Sequence, residues 1–519
     1  MPNFEENFDF DTSPFEQYVA ENEPEILNYA VVPPYFDVAK RRAATPSTHI
    51  LFGARGAGKS ATRLSTEREL WNRHSDGARV PLPVPMVNFS RVLDNKKVED
   101  VTSDDLIREL SFCVIEALLL WVSDQEEGAA YIELLDTDEL ANLIALVDEF
   151  YFSVPEGERR LSHDSAMRIL HQNWKSRTRN WGMKKWAAVS RIIAEISSGL
   201  AKKYAETRDL TKEISELLVR DGQITSRVTV LTKLVEAVRI FGFTGISVFV
   251  DKVDEHPKTQ SSAESAARLV HPLLSHVQLM EVDGLGWQFF LWDRIQPFFR
   301  GGPLEIRLDK IAHSEVAWTG DFLRSMLDAR VEFFSSRKIT SILDLADSDF
   351  DRSTKIGEAI DLAVSSPREL IRLFDTVARE FDANHTWSSE KRLLVEGDFD
   401  AGMDNYVSDV IWGVYEKDVL SQIIRLGKIK FINKEVQSAF KLSAPGATNR
   451  IGKWENSGAV SLTGKREAEG GAGGKPSNEY SVNDPRITRL VTRGLYDERN
   501  LTEAPIEGKR RPITHGLLA

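Results

Sequence analysis

The sequence predicts an α/β core with a parallel sheet, followed by a helical region and a small C-terminal module. Three observations support this fold class. Short apolar runs of strand length alternate with longer segments of helical spacing, which favours parallel strands joined by crossover helices. A glycine-rich segment separates the first apolar run from a helix. The last hundred residues are basic, although the chain as a whole is acidic.

Composition limits the class of protein. Of the 519 residues, 42% are hydrophobic and 28% are charged, which excludes a wholly disordered chain and a collagen-like fibre. The single cysteine, Cys113, cannot form an internal disulfide, so nothing indicates an oxidising compartment. The acidic N-terminus has no signal-peptide pattern, and the longest apolar run, residues 113–122, is shorter than the ~20 residues that a membrane span requires. We therefore expect a cytoplasmic protein without a membrane partner.

Charge is distributed unevenly along the chain. The whole chain carries 66 basic and 79 acidic residues, a net charge of −13. Residues 420–519 carry 17 basic and 10 acidic residues, a net charge of +7. An acidic body with a basic C-terminal module favours a nucleic-acid partner for that module, and a solvated basic tail is the simpler alternative.

The predicted strands of the core are apolar runs bounded by turns. They lie at residues 48–53, 80–90, 245–251 and 288–292, with an edge strand at residues 304–308. Between the second and third runs, residues 91–240 have mostly helical spacing, and we expect a helical insertion there. Residues 1–20 are acidic and contain several phenylalanines, and we expect them to be poorly ordered.

The glycine-rich segment has a spacing suited to phosphate. Residues 53–60 read GARGAGKS and match G-x-x-x-x-G-K-[ST], with a strand before the motif and a helix after it. Glycine allows the backbone N–H groups to turn inward, and the helix N-terminus adds further donors. Lys59 would reach the β- and γ-phosphates, and the Ser60 hydroxyl would bind Mg²⁺. The predicted nucleotide-binding residues are Gly53, Gly56, Ala57, Gly58, Lys59 and Ser60.

An acidic segment after the third strand complements this loop. Residues 248–255 read VFVDKVDE, so Asp251 stands at the C-terminal end of the apolar run, where ligands bind in open α/β sheets. Asp251 is predicted to bind Mg²⁺ through water. Asp254 or Glu255 is predicted to orient the attacking water, and the sequence leaves the choice between them open. A surface loop with acidic residues is the alternative.

The two motifs together resemble those of the large class of P-loop ATPases that includes AAA+, STAND and KAP-type proteins. The resemblance implies ATP and Mg²⁺ as cofactors and ATP hydrolysis as the activity. AAA+ proteins usually place Glu directly after the Mg²⁺-binding Asp, whereas this chain has Lys252 there. The spacing Asp-x-x-Asp-Glu is similar to the STAND and KAP pattern. This departure leaves open which residue is the catalytic base and whether hydrolysis needs a partner.

Two further segments resemble the sensor elements of AAA+ proteins. Residues 288–294, QFFLWDR, end a strand in polar residues, and the resemblance implies that Asp293 or Arg294 contacts the γ-phosphate or the water. Residues 365–374, SSPRELIRLF, place a proline at a helix start and Arg368 in the first turn. This segment resembles the sensor-2 helix of AAA+ lids, especially in the origin-recognition branch, which implies that ATP binds between core and lid. An ordinary strand end and a surface arginine are the alternatives.

The basic C-terminal module has the element order of a winged helix-turn-helix. The sequence predicts helices at residues 416–428, 434–441 and 448–456, and short strands at residues 429–432, 459–463 and 479–483. Asn433 is the expected N-cap of the second helix, and residues 443–446 are an expected turn.

Six residues of the module are predicted to contact DNA. Asn449, Arg450 and Lys453 lie on the helix expected in the major groove. Lys465, Arg466 and Lys475 flank the hairpin tip, where they would contact backbone phosphates. Use of the module for protein contacts is the alternative.

We therefore predict an α/β P-loop NTPase core with a helical insertion and a lid, plus a C-terminal winged helix-turn-helix domain. The expected boundaries are 1–44 for an N-terminal segment, 45–310 for the core with its insertion at 91–240, 311–415 for the lid, 416–496 for the winged helix and 497–519 for a disordered tail.

The expected function is an ATP-binding and ATP-hydrolysing switch that binds double-stranded DNA and associates with itself or with a partner protein. Analogy with other long-inserted P-loop ATPases suggests a bacterial defence or mobile-element context. Two alternatives stay open: a STAND-like signalling ATPase whose module binds protein, and an ATP-binding scaffold with negligible turnover.

Overall fold

A five-stranded parallel sheet forms the centre of one of the two units of the chain. The computed structural model describes residues 3–20, 23, 26–29, 31, 35–125, 132–159, 162, 189–193, 204–260, 262–385, 391–467 and 476–496. The sheet unit comprises residues 20–28 and 32–317, and the helical unit comprises residues 1–19, 29–31 and 318–519. The strands of the sheet unit are β1 (His49–Gly53), β2 (Leu82–Met86), β3 (Val219–Arg220), β4 (Gln223–Ile224), β5 (Ile246–Val250), β6 (Leu285–Trp292) and β7 (His313–Glu315).

The strand order brings the ends of three strands together. The order is β2-β5-β6-β1-β7, and all neighbouring pairs are parallel, while β3 and β4 form a separate hairpin. The register pairs Gly53 of β1 with Trp292 of β6, and Val250 of β5 with Phe289 of β6. The segments that follow β1, β5 and β6 therefore leave the sheet at the same edge.

Four of the five predicted core strands are confirmed, and the predicted edge strand at residues 304–308 is wrong. In that segment the N–H of Ile306 donates to the carbonyl of Phe299, and the N–H of Leu308 donates to the carbonyl of Ile306. These bonds are local, so the segment is irregular, although Leu304 and Ile306 are buried. The edge strand is β7, whose partner is β1.

The sheet is buried on both faces. Ile50, Phe52 and Val248 belong to a large core on one face, whereas Leu51 and Phe249, the residues between or beside them, belong to a smaller core on the other face. Successive side chains of a strand point to opposite faces, so continuous apolar runs are what a doubly covered parallel sheet requires.

Two prolines block the free edge of the sheet at β2. The N–H of Leu82 donates to the carbonyl of Gly245, so the even positions of β2 face β5. Pro83 and Pro85 fall on the alternate positions, where β2 has no strand partner among the described residues. Proline has no N–H to offer there, which protects the edge against pairing with another chain.

The predicted insertion is helical and shares the core of the sheet. Buried side chains of its helices, such as Leu110, Ile144 and Leu234, belong to the same hydrophobic cluster as Val84 and Val248. The insertion therefore packs as part of the sheet unit. From residue 35 onward, the described part of this unit includes the α-helices Tyr35–Ala44, Lys59–Ser75, Ser90–Leu93, Ser103–Asp124, Thr137–Leu146, Tyr204–Leu218, Arg227–Ile240, Ala263–Leu274, Val277–Met280 and Gln296–Phe299.

Nine α-helices of the helical unit surround a second core. They are Phe4–Phe8, Gly320–Phe334, Arg352–Leu362, Pro367–Asn384, Glu396–Val410, Lys417–Leu426, Asn433–Phe440, Ala444–Asn456 and Pro485–Arg493, counted over the described part of the chain. Arg330 in helix Gly320–Phe334 is buried and donates to the carbonyl of Pro14, so it has a packing role.

The expectation that residues 1–20 are poorly ordered is wrong for residues 3–20. Phe4, Phe8 and Phe15 are buried in the core of the helical unit. Phe4 contacts Phe381 edge to face with a centroid distance of 5.8 Å, and Phe15 contacts Phe374 at 5.3 Å. Burying several aromatic rings offsets the entropy of ordering a segment whose composition is otherwise acidic.

The C-terminal module contains a three-stranded antiparallel sheet. The strands are β8 (Lys430–Ile432), β9 (Val460–Arg466) and β10 (Ser477–Val482), and they pair in the order β8-β10-β9. Along the chain, one helix precedes β8 and two helices lie between β8 and β9. Trp454 is fully buried among them. Within the described residues, no helix is both long enough and apolar enough to cross a membrane.

Ion pairs fix the end of this module to the preceding helices of the same unit. Arg489 and Arg493 on the last helix donate to Asp404 at 2.7 and 2.8 Å. Arg489 also bonds Asp400 at 3.1 Å, and its side chain is largely buried. A partly buried network with several charges is more restrictive than isolated surface pairs. The module is therefore held against helix Glu396–Val410 rather than connected by a free tether.

Candidate nucleotide site and candidate DNA-binding surface

The segment predicted to bind phosphate, residues 53–60 and called the phosphate loop below, has the backbone conformation that its glycines predict. Strand β1 ends at Gly53 and the next helix begins at Lys59. Gly56 and Gly58 have φ values of 80° and 85°, a region that side chains with a Cβ disfavour. At Gly53, a Cβ would lie 3.0 Å from the Cβ of Val316, so this position is tight for a different reason.

Lys59 is buried on the loop. Its ammonium donates to the carbonyls of Gly53 and Ala54, both at 2.9 Å. Ser60 follows in the first helical turn and is half-buried. The cation is thus held at the start of the helix, where the N-terminal N–H groups also concentrate positive charge.

Asp251 belongs to a buried charge triad. Its Oδ2 accepts from the Nε of Arg63 at 3.0 Å, and its Oδ1 accepts from the backbone N–H of Lys252 at 2.9 Å. Arg63 also donates to Glu67 at 2.9 Å, and the side chains of all three residues are almost fully buried. The sequence analysis missed Arg63 and Glu67. Their i,i+4 spacing on the helix after the loop was a signal, but it does not reveal that this face of the helix meets Asp251.

Asp254 is held by the phosphate loop itself. The Nε of Arg55 donates to Asp254 Oδ2 at 2.7 Å, and its Nη2 donates to the carbonyls of Asp254 and Gln260 at 3.0 and 2.7 Å. The guanidinium also lies over the ring of Trp292, 4.1 Å from its centroid. Arg55 and Trp292 were not predicted as site residues, since neither belongs to the residues that the motif specifies.

The acidic segment contains a strained residue. Lys252 has a φ of 62°, in the left-handed region that residues other than glycine enter at a cost of ~1–3 kcal/mol. Glu255, two residues after the buried Val253, is exposed, and its carboxylate lies 3.8 Å from the Lys252 ammonium. The segment thus turns sharply after Asp251, and its two later acids differ in exposure: Asp254 is buried and Glu255 is exposed.

Asp293 follows the central strand β6 and is half-buried at the start of a short 3-10 turn. Because Gly53 and Trp292 are register partners, Asp293 leaves the sheet at the same edge as the phosphate loop. Arg294 is exposed and lies over the Trp292 ring at 5.6 Å. The structure thus places the phosphate loop, Asp251, Asp254 and Asp293 at one edge of the sheet.

Arg368 belongs to the helical unit. It is exposed in the first turn of helix Pro367–Asn384, where the Ser366 side chain accepts from the N–H of Glu369. The two residues before this cap, Val364 and Ser365, have φ values of 48° and 57°. A β-branched residue is rarely found in this region, so the turn that aims Arg368 is strained.

The helix predicted to enter the major groove has one exposed polar face. Asn449 and Lys453, four residues apart, are exposed. Arg450 is only half-exposed, because its guanidinium lies 4.2 Å from the centroid of the Phe440 ring. The first two residues are therefore better placed for an external ligand than Arg450.

The residues predicted to contact DNA phosphates near the hairpin tip differ in their availability. Lys465 is exposed on β9. Arg466 bonds Glu479 at 2.6 Å and Glu435 at 3.3 Å, and the hydrogen bond to Glu479 raises its pKa. This pairing neutralises much of its charge and fixes it within the module. Lys475 lies outside the described residues.

Further exposed cations of the module were not predicted. Lys430, Lys434 and Lys441 are exposed, and within the described residues none of them forms an ion pair. Net charge alone pointed to the module but could not show which cations are paired internally.

The comparisons with known proteins give only distant similarity. No family model matches the sequence, and no curated protein matches it. Among solved structures, the Aeropyrum pernix ORC1 protein in complex with DNA is 12% identical, with a TM-score of 0.35 and coverage of 93% of this chain and 98% of that chain. The Aeropyrum pernix ORC2 protein in ADPNP–ADP complexes is 11% identical, with a TM-score of 0.40 and coverage of 94% and 96%. TM-scores below 0.5 do not establish a shared fold.

Proposed function

We propose that this chain is an ATP-binding switch that hydrolyses ATP and binds double-stranded DNA through its C-terminal module. One observation carries the nucleotide part of the proposal. The glycine conformations of the phosphate loop, the buried Lys59 and the acid Asp251 at the end of β5 occur at one edge of a parallel sheet. Anionic ligands of α/β proteins bind at this edge, on a helix N-terminus.

Lys59 and the loop backbone supply the recognition of phosphate. When ATP binds, the ammonium of Lys59 exchanges carbonyl oxygens of the loop for phosphate oxygens, which carry a full negative charge. Charge-assisted bonds of this kind are stronger than bonds to neutral carbonyls. The loop thus holds its cation ready for a triphosphate.

The donor set suits Mg²⁺. Ser60 offers a hydroxyl oxygen and Asp251 a carboxylate, and both are hard oxygen ligands. Asp251 already accepts bonds from Arg63 and Lys252, so it would act through water rather than as a sole direct ligand. Among the described residues, no group of three or more His, Cys, Asp or Glu side chains could hold a metal, which fits an ion held mainly by water and phosphate. A bound Mg²⁺ would neutralise the developing charge on the phosphates.

The two candidate catalytic bases, Asp254 and Glu255, differ in their surroundings. Asp254 is buried and paired with Arg55, whereas Glu255 is exposed. Either Glu255 orients the water, or Asp254 does so after release from Arg55. If neither can act, the chain is an ATP-binding scaffold with negligible turnover.

The C-terminal module is the proposed DNA-binding element, a winged helix-turn-helix. Its support is the element order with a three-stranded sheet and the exposed residues Asn449, Lys453 and Lys465. A specific observation favours the alternative of protein contacts: Leu462 on β9 is 52% exposed, an apolar group on the hairpin.

A salt titration distinguishes the two uses of the module. We expect wild-type chain to bind duplex DNA, and Lys453→Gln combined with Lys465→Gln to make the log–log salt slope shallower by about 1–2, because each phosphate contact contributes about −0.9. Fluorescence anisotropy with a labelled duplex at several salt concentrations measures this slope.

The matched control removes two exposed lysines from the sheet unit. Lys97→Gln combined with Lys310→Gln changes the net charge by the same amount and should leave the slope unchanged. Equal effects of the two double variants would indicate a response to net charge alone. If the wild-type chain shows no salt-dependent DNA binding, the protein-contact alternative is favoured.

A further inference from the structure

Arg55 connects three parts of the nucleotide site. It belongs to the phosphate loop, it donates to the carboxylate and carbonyl of Asp254 after β5, and it stacks on Trp292 at the end of β6. It also bonds the carbonyl of Gln260. The motif leaves its third position unrestricted, so nothing about phosphate binding itself requires an arginine there.

The exposure of the two partners is unequal. The side chain of Arg55 is 44% exposed, whereas that of Asp254 is 9% exposed. Arg55 reaches solvent and therefore has room to turn toward another partner. Asp254 is mostly buried, so its carboxylate would lose its cation when Arg55 moves, and the new bonds of Arg55 to an anion must offset that cost.

Arg63, the partner of Asp251, differs from Arg55 in its burial. Arg63 is 1% exposed and bonds both Asp251 and Glu67. Its release would leave buried charges unpaired, which is strongly unfavourable. Arg63 is therefore a fixed partner, and Arg55 is the arginine of this site that can move.

We propose that Arg55 is a positioning residue that distinguishes ATP from ADP by exchanging Asp254 for the terminal phosphate. This inference rests on the proposed binding of ATP at residues 53–60. A guanidinium binds phosphate oxygens through two parallel hydrogen bonds, a stronger arrangement than its present bonds to a carboxylate and two neutral carbonyls. A diphosphate lacks the group that would draw Arg55 away. Asp254 thus loses its partner only when a triphosphate is bound, which leaves its carboxylate available to orient water at that stage.

The test compares ATP and ADP affinities of full-length variants. Arg55→Ala should weaken binding of ATP or its non-hydrolysable analogue by roughly 10- to 100-fold, the worth of hydrogen bonds to a charged group, and change ADP binding by less than about 3-fold. Arg55→Lys keeps the charge without the planar fork and should give an intermediate loss. Calorimetric titration with each nucleotide and Mg²⁺ measures both constants.

The matched control is Arg307→Ala. Arg307 lies in the same unit and bonds the carboxylate of Asp309 at 2.8 Å, but both side chains of that pair are exposed. Its removal should leave the ratio of ATP to ADP affinity within about 3-fold of wild type, since an exposed ion pair away from the nucleotide contributes little. Arg55→Ala in a chain that also carries Asp254→Asn should still show the loss of ATP preference.

Trp292 gives an independent readout. Because Arg55 stacks on its ring, departure of the guanidinium should change the indole emission when ATP binds and not when ADP binds. Trp292→Phe should abolish this difference, and Arg55→Ala should abolish it as well.

Two results would overturn the inference itself, and a third would remove its premise. ATP and ADP affinities of Arg55→Ala and Arg55→Lys that fall by the same factor would show that Arg55 only anchors the acidic segment. Unchanged affinities for both nucleotides would show that it does not contact the phosphate. Absence of nucleotide binding by the wild-type chain would instead contradict the proposed function and remove the premise of this inference.

Discussion

Replacing Lys59 by alanine is expected to abolish detectable ATP binding. A unit charge about 4 Å from a phosphate oxygen, at the effective dielectric of a protein surface, contributes ~4 kcal/mol, so the dissociation constant should rise roughly 1,000-fold. The Lys59 ammonium donates to main-chain carbonyls of its own loop, and the melting temperature of the variant shows whether the fold persists. Isothermal titration with ATP and Mg²⁺ measures the loss.

Lys310→Ala is the control for that result. Lys310 is an exposed lysine of the same unit, and its removal should leave the ATP dissociation constant unchanged. An unchanged dissociation constant in Lys59→Ala, with a melting temperature close to wild type, would contradict the assignment of residues 53–60 as the phosphate loop.

Replacing Arg63 by methionine is expected to lower the free energy of unfolding by about 3–5 kcal/mol. Methionine fills a similar volume but leaves the carboxylates of Asp251 and Glu67 buried without their shared cation. Replacing a whole buried charge network by apolar residues can be nearly neutral, but removing one partner leaves the others buried and unpaired, which is strongly destabilising. Urea denaturation at neutral pH measures the difference.

Arg73→Met on the same helix provides the comparison. Arg73 is exposed in the last turn, and its replacement should change the free energy of unfolding by less than about 0.5 kcal/mol. Equal stability of the Arg63 and Arg73 variants would show that the triad around Asp251 is not as buried as described.

The parts of the fold that follow from local pattern were predictable from the sequence. β1, β5 and β6 are mostly apolar runs, and the glycines at residues 56 and 58 stand where φ is positive. The positions of Asp251 and Asp293 directly after β5 and β6 also predict that both lie at one edge of the sheet, since parallel strands bring their C-terminal ends together. Such features depend on residues close in sequence.

Pairing between distant residues was not predictable. Arg55 and Asp254 are 199 residues apart, and Arg63 and Asp251 are 188 residues apart. Nothing in their local sequence specifies these partners. For the same reason Arg466 was predicted to contact DNA phosphate, whereas the structure pairs it with Glu435 and Glu479.

Helix boundaries in the C-terminal module differ from the prediction through capping. Residues 443–446 were expected to form a turn, but Ser443 caps a helix that begins at Ala444, and Pro445 is tolerated in its first turn. Asn433 was expected to cap the preceding helix, yet it is the first helical residue, and Glu435 accepts from the N–H of Ile432 instead. A serine two residues before a proline suits both a turn and a helix N-cap, so the pattern alone was ambiguous.

The measurement that tests the account most directly is the ATP affinity of the full-length chain with and without saturating duplex DNA. If ATP and DNA bind to one switch, each changes the affinity for the other by the same factor, typically about 5- to 150-fold. We expect ATP to bind in both conditions and more tightly when DNA is bound. Absence of ATP binding, or an ATP dissociation constant that DNA leaves unchanged, would contradict the account.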